Sequence, residues 1–161
     1  MTAKKCLVVG DNVTTDQIYP ARYPLSGEPS EIARHVLEGL DSDLPLKIDS
    51  QTLLVAGENF GCGVPRMQAA AALKHSGITC IVAKSASRTL YRSAINLGIM
   101  VIIADIVDKV TDGDEIEIDY SQGKIMCRDF IADFTPLPDF IQKIINAGGL
   151  LPYIRQGIAK K

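Results

Sequence analysis

A chain of 161 residues is the size of one ordinary domain and is long enough to bury a core. Its composition, 47% hydrophobic and 22% charged, is typical of a globular protein and excludes a disordered one, while the formal net charge of -2 excludes a general nucleic-acid-binding surface. The N-terminal apolar run is too short for a signal peptide or a membrane span. We therefore expect a single cytoplasmic domain over residues 1–161, with neither a nucleic acid nor a membrane as partner.

The first quarter of the chain predicts one strand and one helix, joined by a turn-rich segment. A short apolar strand starts at Cys6 and ends at Gly10. Residues 11–24 are rich in Asp, Asn, Thr and Pro, which favour turns over regular ladders. Apolar residues recur at helical spacing over residues 31–40, and Ser30 is a suitable N-cap, so a helix is predicted there.

The centre of the chain alternates between apolar strands and helices. Near-continuous apolar strands separated by helices indicate βαβ units and a parallel sheet that is covered on both faces. A glycine after the last periodic residue marks the end of each helix. The predicted segments are a strand at 52–57, a helix at 65–76 ended by Gly77, a strand at 78–84, a helix at 88–97 ended by Gly98, and a strand at 99–104.

The last third of the chain has a different pattern. Residues 114–120 alternate between polar and apolar side chains, and a Ser-Gln-Gly turn follows them. Residues 124–130 are the predicted return strand, so the pattern predicts an antiparallel hairpin with one solvated face. A C-terminal helix begins near Pro138 and is stopped by Gly148 and Gly149. The predicted fold class is α/β, with a layered and mostly parallel sheet flanked by helices and an accessory antiparallel β-hairpin.

The loop between the second strand and its helix contains three glycines, at positions 57, 61 and 63. Glycine lets backbone amides approach a ligand closely, and the amides of a helix N-terminus favour an anion. Pro65 is predicted at the first helical position, where its missing N–H is harmless. A tight turn with no ligand is the simpler alternative. The loop lacks the Gly-Lys-Ser/Thr of a P-loop and the third glycine of a dinucleotide fingerprint.

Arg66 follows this loop, in the predicted first turn of the helix. The helix dipole disfavours a cation there by about 0.3–1 kcal/mol when the side chain is exposed. A carboxylate ligand would reverse this penalty, because a guanidinium group binds a carboxylate through two parallel hydrogen bonds. The pattern therefore favours an organic acid as ligand, and a solvated arginine that tolerates a small cost is the alternative.

The four cysteines, at positions 6, 62, 80 and 127, have neither zinc-site nor iron–sulfur spacing. Cys80 lies in an apolar strand, where a buried and unreactive thiol is expected. His35 and His75 lie on predicted helices without partners at ligand spacing. We predict that this chain binds no metal.

Three motifs occur in order between Gly10 and Ile103, namely GDNVTTDQIYPARY, VAGENFGCG and GITCIVAKSASRTLYRSAINLGIMVI. In these the chain resembles the small subunits of 3-isopropylmalate dehydratase, which correspond to the swivel domain of the aconitase superfamily. The resemblance implies one half of a hydro-lyase that isomerises a hydroxy acid by dehydration and rehydration. It also implies a large subunit, in a heterodimer or heterotetramer, that carries a [4Fe–4S] cluster, so that no cofactor is expected on this chain. The isolated chain could also form a homo-oligomer.

The resemblance also implies roles for individual residues. Asp16 and Arg66 are implied as catalytic, with Thr15 beside Asp16 at the rim of the active site and Arg66 holding a substrate carboxylate. Arg88 is implied in a ligand role or, equally, in a structural salt bridge or at an interface. The substrate-binding residues implied are Thr15, Tyr23, Pro24, Leu25, Ser26, Gly63, Val64, Pro65 and Arg66, of which residues 23–26 discriminate among substrate side chains.

The chain departs from the family pattern at two positions of the glycine loop. The family has two serines where this sequence has Val64 and Pro65, and the first of those serines is the family's catalytic base. Valine cannot accept a proton, and loss of a positioned base typically costs about 10²–10⁴-fold in rate. Three alternatives remain: another group moves the proton, the protein binds an acid without turnover, or Val64 forms an apolar wall for a different acid.

The segment YPLSGEP gives an indication of the substrate. It contains no arginine that could reach a distal carboxylate, as a homoaconitate-type substrate would require. Leu25 offers an apolar contact suited to an isopropyl group, although it could equally be an ordinary loop leucine. The expected substrate is the small carboxylic acid 3-isopropylmalate, in leucine biosynthesis. Homoaconitate, citramalate or dimethylmalate chemistry is the alternative.

Overall fold

The computed structural model describes residues 3–24 and 27–159. Over these residues it contains seven strands, which form one sheet. The strands are β1 (Lys4–Val8), β2 (Thr52–Ala56), β3 (Cys80–Ala83), β4 (Met100–Ile103), β5 (Glu115–Asp119), β6 (Lys124–Cys127) and β7 (Phe130–Asp133). Their order across the sheet is β4-β3-β2-β1-β5-β6-β7.

The described residues also form six α-helices and two short 3₁₀ turns, at Leu44–Lys47 and Val107–Lys109. None of these helices is long and apolar enough to cross a membrane. The α-helices are α1 (Thr15–Ile18), α2 (Pro29–Ala33), α3 (Met67–His75), α4 (Arg88–Asn96), α5 (Asp139–Asn146) and α6 (Leu150–Ala159).

The parallel half of the sheet, β1 to β4, has the predicted architecture. Each of these strands pairs in parallel with its neighbour, and side chains on β2 alternate between two hydrophobic clusters, one on each face. Leu54 contributes to the cluster that α3 and α4 cover, through residues such as Leu73 and Leu90. Leu53 contributes to the opposite cluster, which also contains Ile116 of β5. The sheet is therefore buried on both faces, as its continuous apolar strands predict.

The antiparallel half, β5 to β7, includes the predicted hairpin and one further strand. In β5 the residues Ile116 and Ile118 are buried while Glu115 and Glu117 are exposed, which confirms the solvated face. β7 was not predicted as a separate strand. It follows β6 after a tight turn at Arg128, which adopts a φ of 50° without being the Gly or Asn that usually marks such a turn. The buried carboxylate of Asp114 accepts a hydrogen bond from this arginine.

The helix predicted over residues 31–40 is wrong in its extent and its cap. α2 spans only Pro29–Ala33, with Glu28 as N-cap in place of Ser30. Leu37 adopts a φ of 62°, which ends a right-handed helix, and its amide donates to the carbonyl of Ile18 in α1 at 2.7 Å. Residues 34–40 therefore form turns that pack on α1.

Predicted helix ends agree well with the structure elsewhere. Gly77 and Gly98 adopt positive φ values of 93° and 78° just after α3 and α4. Gly148 and Gly149 end α5 as predicted, with φ values of 87° and 128°. A second helix, α6, follows them and was not predicted, because the expected C-terminal helix stopped at these glycines.

Candidate active site

Three loops meet at the edge of the sheet where the parallel strands end. The loop after β2 lies between the loops that follow β1 and β3, and backbone hydrogen bonds connect it to both. The amide of Gly61 donates to the carbonyl of Val13 at 2.7 Å, and the amide of Phe60 donates to the carbonyl of Ser85 at 3.0 Å. Such an edge is the usual ligand-binding position in open α/β sheets.

Side chains strengthen the same connections. Oδ1 of Asp11 accepts from the amide of Glu58 at 2.7 Å, and Oγ of Ser85 accepts from the amide of Asn59 at 2.8 Å. The side-chain amide of Asn59 donates to Oδ1 of Asn12 at 2.8 Å. These bonds hold the first part of the loop on both sides, so its conformation is set by its neighbours.

The three loop glycines have different reasons for lacking a side chain. A Cβ on Gly57 would lie 1.8 Å from Oδ1 of Asp11, and one on Gly61 would lie 2.4 Å from Cδ2 of Leu90. Both glycines are therefore explained by packing within the protein. Gly63, with a φ of 88°, has open space beside it except for Thr14 at 3.7 Å. Of the three, only Gly63 has the free surroundings that the ligand-binding interpretation requires.

Beyond Cys62 the loop projects into solvent. Gly63, Val64 and Pro65 are all exposed, and the Val64 side chain is 64% accessible. The amides of Gly63 and Val64 donate to no acceptor among the residues that the structure describes. Oγ1 of Thr15 donates to the carbonyl of Val64 at 2.7 Å, and Thr15 is itself only 3% exposed. Thr15 therefore supports the projecting segment from beneath.

Arg66 lies at the N-cap of α3, which corrects the prediction that the helix begins at Pro65. Arg66 has an extended backbone, with a φ of -136° and a ψ of 117°, and the first helical residue is Met67. Pro65 thus precedes the N-cap and does not occupy the first helical position. The cation still lies next to the unpaired amides of the first turn, although not within it.

The guanidinium of Arg66 is partly buried. Its Nε atom is shielded from solvent and has no hydrogen-bond partner within the described ranges 3–24 and 27–159. Buried side-chain donors in native proteins usually have a partner, so this one requires an explanation. A guanidinium with an unused N–H beside unused loop amides is an arrangement that can bind a carboxylate.

Asp16 lies next to Thr15 on α1, a short helix held by a capping box. Oγ1 of Thr14 accepts from the amide of Gln17, and the Gln17 side chain accepts from the amide of Thr14. The carboxylate of Asp16 is exposed, and its Oδ1 accepts from the amide of Ala21 at 2.9 Å. One carboxylate oxygen is thereby fixed, while Oδ2 has no partner among the described residues.

Two of the four predicted specificity residues, Tyr23 and Pro24, follow α1 in the chain and belong to a separate hydrogen-bond network. The Tyr23 hydroxyl donates to Glu38, and the Pro24 carbonyl accepts from the Tyr19 hydroxyl at 3.0 Å. A cavity of about 100 Å³ borders Tyr23 and Pro24 and is lined further by Ile32. No hydrogen bond joins this segment to the Arg66 segment within the described part of the chain. Leu25 and Ser26 lie outside the described residues.

Arg88 begins α4, whose N-cap Ser87 accepts from the amide of Leu90. Its side chain is exposed and forms no salt bridge in residues 3–24 and 27–159. The structural salt bridge considered for Arg88 is therefore not found in that part of the chain.

The cysteines do not form a metal site in the described residues. Cys62 is half-buried in the loop, whereas the other three cysteines are buried. Cys80 is 2% exposed, which confirms its predicted burial, and this burial raises the pKa of its thiol to about 12. No group of three or more His, Cys, Asp or Glu side chains that could hold a metal occurs among the residues described. The residues present do not fit an iron–sulfur cluster.

Comparison with known proteins places this geometry in a family. The Aconitase C-terminal domain model matches residues 7–105, which include the end of β1, strands β2 to β4 and all three site loops. A 3-isopropylmalate dehydratase small subunit from Halothermothrix orenii is 43% identical over 96% of this chain and 95% of its own length. The chain belongs to the 3-isopropylmalate dehydratase small-subunit family. An isopropylmalate/citramalate isomerase small subunit from Methanocaldococcus jannaschii is 41% identical over 94% of this chain and 92% of its own length.

A solved structure supports the same family. The crystal structure of 3-isopropylmalate dehydratase (leuD) from Methanocaldococcus jannaschii superposes with a TM-score of 0.90 at 37% sequence identity, covering 98% of this chain and 95% of that one. The predicted swivel-domain fold is thereby confirmed. The match extends through the antiparallel strands and both C-terminal helices, so this small-subunit family member shares the complete architecture of the known structure.

Sequence reasoning selected the glycine loop as the candidate site but did not identify two residues beside Tyr23. His35 and Glu38 interact with Tyr23 through a stacked ring and a hydrogen bond. Both residues lie in or beside the turns that were predicted as a helix, where their side chains would have pointed elsewhere. The positive φ of Leu37 produces this turn, and no Gly or Asn marks it in the sequence.

Proposed function

We propose that this chain is the small subunit of a heteromeric hydro-lyase that interconverts 2-isopropylmalate and 3-isopropylmalate. The reaction removes a hydroxyl group and a proton from adjacent carbons to give an unsaturated acid, and then returns water with the hydroxyl on the other carbon. Two relatives that are 43% and 40% identical to this chain over nearly its whole length are named 3-isopropylmalate dehydratase small subunits. The observation on this chain that carries the proposal is the Arg66 guanidinium.

Arg66 binds a carboxylate of the substrate in this proposal. A buried N–H without an acceptor costs about 1–3 kcal/mol, and a carboxylate that accepts from Nε and a terminal nitrogen removes this cost. The amides of Gly63 and Val64 lie in the same projecting segment and offer further donors to an anion. Thr15 contributes indirectly, because its hydroxyl fixes the Val64 carbonyl and so the direction of these amides.

Asp16 is the proton acceptor that we propose for this chain. The family's usual base position is occupied by Val64, which has no group that can bind a proton. Asp16 is an exposed carboxylate on the helix that carries Thr15, with one oxygen fixed by Ala21 and the other unused. A carboxylate held in one orientation by a single oxygen is suited to exchange a proton with the second.

The alkyl group of the substrate is expected to contact apolar side chains. Val64 and Met67 are 64% and 68% exposed and flank Arg66 in the sequence, and Tyr23 and Pro24 follow α1 in the chain. In this interpretation Val64 is an apolar wall, which is a role that a serine could not fill. A methyl-bearing malate is a second candidate substrate, because one relative is named for both isopropylmalate and citramalate.

The partner is expected to supply the metal chemistry. The relatives are named as small subunits, so a large subunit completes the enzyme, and the resemblance assigns the [4Fe–4S] cluster to that subunit. The cysteines of this chain do not converge on one point in the described part, so no step is assigned to a cluster here. The chain's own contribution is to bind the acid, orient it and move a proton.

Turnover by the complete enzyme tests the proposal. The chain is coexpressed with its cognate large subunit, and the ultraviolet absorbance of the unsaturated intermediate is followed with 3-isopropylmalate. We expect turnover, and we expect Asp16→Asn to lower kcat by about 10²–10⁴-fold. Asp108→Asn, an exposed carboxamide variant in a 3₁₀ turn, is the matched control and should retain full activity.

A double variant separates this proposal from loss of catalysis. Replacement of Val64 and Pro65 by serine restores the family's usual residues. If the wild-type complex is inactive on malate and citrate homologues while the double variant is active, the chain is a carboxylate-binding protein that has lost its base. That alternative is favoured by one observation, the two substitutions themselves.

A further inference from the structure

Four side chains near the C-terminal end of α1 form one interacting cluster, consisting of Arg22, Tyr23, His35 and Glu38. Oε1 of Glu38 accepts from Nη2 of Arg22 and from the hydroxyl of Tyr23, both at 2.8 Å. Oε2 of Glu38 lies 2.5 Å from Nδ1 of His35. Both carboxylate oxygens are therefore occupied, and Glu38 is the only member of the cluster that contacts all three others through hydrogen bonds within the described residues.

The cluster holds the Tyr23 ring in a defined orientation. The ring stacks on His35 with centroids 3.7 Å apart and an angle of 14° between planes, and the Arg22 guanidinium lies 4.7 Å from its centroid. Burial raises the pKa of the Glu38 carboxyl, but hydrogen bonds from His35, Tyr23 and Arg22 outweigh this, and its pKa is lower than usual. The carboxylate form that accepts these bonds is thereby favoured.

Glu38 is itself fixed to α1, the helix that carries the proposed proton acceptor Asp16. Its neighbour Leu37 is fully buried and donates its amide to the carbonyl of Ile18 in α1 at 2.7 Å. On its other side, a Cβ on Gly39 would lie 2.6 Å from Cα of Gln17, also in α1. The turn that contains Glu38 thus packs directly on α1. Because the Tyr23 hydroxyl donates to Glu38, this packing also fixes the position of Tyr23 relative to α1.

Packing alone does not hold Tyr23 in place. The cavity of about 100 Å³ adjoins its ring, and the residue is only half-buried. A ring beside empty space can change its rotamer at little steric cost. The hydrogen bond to Glu38 and the stack on His35 are therefore the interactions that oppose such a change.

We propose that Glu38 is a positioning residue, which holds Tyr23 against α1 so that the Tyr23 and Pro24 segment forms a fixed wall for the alkyl substituent of the substrate. This inference rests on the function proposed above and deepens it. Loss of the wall should affect a substrate with an isopropyl group more than one with a methyl group. Glu38 thereby sets the selectivity between 3-isopropylmalate and 3-methylmalate without contacting either substrate.

Selectivity of the complete enzyme is the first test. In the complex with the large subunit, Glu38→Gln is expected to lower the ratio of kcat/KM for 3-isopropylmalate to that for 3-methylmalate by about five- to tenfold. The expected loss is smaller than the full discrimination that a well-fitted apolar pocket gains from a few additional methylene groups on the substrate. The change should appear in KM for the isopropyl substrate, with kcat altered less than twofold. Glu117→Gln, an exposed carboxamide variant on β5, is the matched control.

A second variant tests whether Glu38 acts through Tyr23. Tyr23→Phe removes the hydroxyl that donates to Glu38 and leaves the ring in place. If Glu38 acts through this bond, the double variant should show no larger loss of selectivity than either single variant. Additive losses, or equal losses on both substrates, would contradict the inference and indicate a general structural role.

Hydrogen exchange gives a readout that does not depend on activity. The Tyr23 amide donates to the carbonyl of Pro20 at 3.0 Å, so its exchange reports whether this segment is held. We expect Glu38→Gln to accelerate exchange at Tyr23 about tenfold in the full chain, and Glu117→Gln to leave it unchanged. If exchange at the Tyr23 amide is unchanged in Glu38→Gln, the inference is overturned, whatever the activity of the complex. A wild-type complex that turns over neither malate refutes the proposed function, and the exchange result then decides about Glu38 alone.

Discussion

The two parts of the loop between β2 and α3 differ in how they are held. Residues 57–62, the anchored part, are hydrogen-bonded to the loops on both sides, and two of their glycines lie directly against Asp11 and Leu90. Residues 63–66, the projecting part, accept a hydrogen bond from the Thr15 hydroxyl, and the amides of Gly63 and Val64 donate to no acceptor within the described chain. One glycine-rich sequence thus serves two purposes, since the first part fixes the backbone that the second presents to a ligand.

The largest expected effect lies in the projecting part. Arg66→Ala removes two charge-assisted hydrogen bonds to a carboxylate, each worth about 1.5–3 kcal/mol, so kcat/KM should fall by roughly 10²–10⁴-fold. The free energy of unfolding should not fall, because the buried Nε of Arg66 forms no hydrogen bond with any described residue that the variant would lose. Steady-state kinetics of the complex and urea unfolding of the subunit measure the two effects.

The control for this variant is Arg155→Ala, which removes an exposed arginine from α6. It should leave both quantities unchanged. Full activity of Arg66→Ala would remove the carboxylate site from the projecting part. A large loss of stability would instead mean that Arg66 belongs functionally to the anchored part.

The next largest effect is expected in the anchored part and concerns stability. Gly61→Ala places a Cβ 2.4 Å from Cδ2 and 2.7 Å from Cβ of the buried Leu90, at a φ of 75° that disfavours alanine. Overpacking and the backbone conformation together should cost about 2–4 kcal/mol of unfolding free energy. Urea unfolding at constant pH measures the loss. A stability equal to that of the wild type would show that the loop is not anchored against α4.

How far the sequence predicts these two parts depends on whether the cause is local. Alternating apolar segments and terminal glycines predicted the parallel strands and the ends of α3 and α4, because periodicity and positive φ are local properties. The reason for Gly57 and Gly61 could not be predicted, since Asp11 and Leu90 are distant in sequence and adjacent only in the fold. For the same reason Arg66 was found as a cation beside a glycine loop, but its buried Nε was not.

The turn at Leu37 shows where local patterns fail. Apolar spacing over residues 31–40 is helical, yet the amide of Leu37 bonds to Ile18 and the chain turns at a positive φ. Tertiary contact with α1 overrides the local preference for helix. Glu38 and His35 therefore reach Tyr23 in a way that only the folded chain shows.

Gly63→Ala is the matched variant in the projecting part. It shares a positive φ with Gly61→Ala but meets only Thr14, at 3.7 Å, which is an ordinary contact distance. The backbone conformation alone should cost about 1–2 kcal/mol, less than the loss at Gly61. The difference between the two variants in urea unfolding isolates the packing contribution. Equal losses would mean that the two glycines have the same role, and the distinction between the parts would fail.

The smallest effect is expected at the bond between α1 and the projecting part. Thr15→Val keeps the shape of the side chain and removes the hydroxyl that donates to the Val64 carbonyl, so stability should fall by only about 0.5–1.5 kcal/mol. Activity should fall as well, because the projecting amides lose their fixed direction. Thr52→Val provides the control, since it removes a buried hydroxyl that bonds to Asp49 away from the site.

These two valine variants separate support of the fold from support of the site. Both should lower the unfolding free energy, and Thr52→Val by the larger amount because the Thr52 hydroxyl both donates to and accepts from Asp49, but only Thr15→Val should lower kcat/KM in the complex. If Thr52→Val reduces activity equally, the loss reflects general destabilisation and the Thr15 bond has no particular role. If Thr15→Val is fully active, activity does not require the hydrogen bond to the Val64 carbonyl. Contacts with the substrate or the large subunit would then determine the conformation of the projecting part.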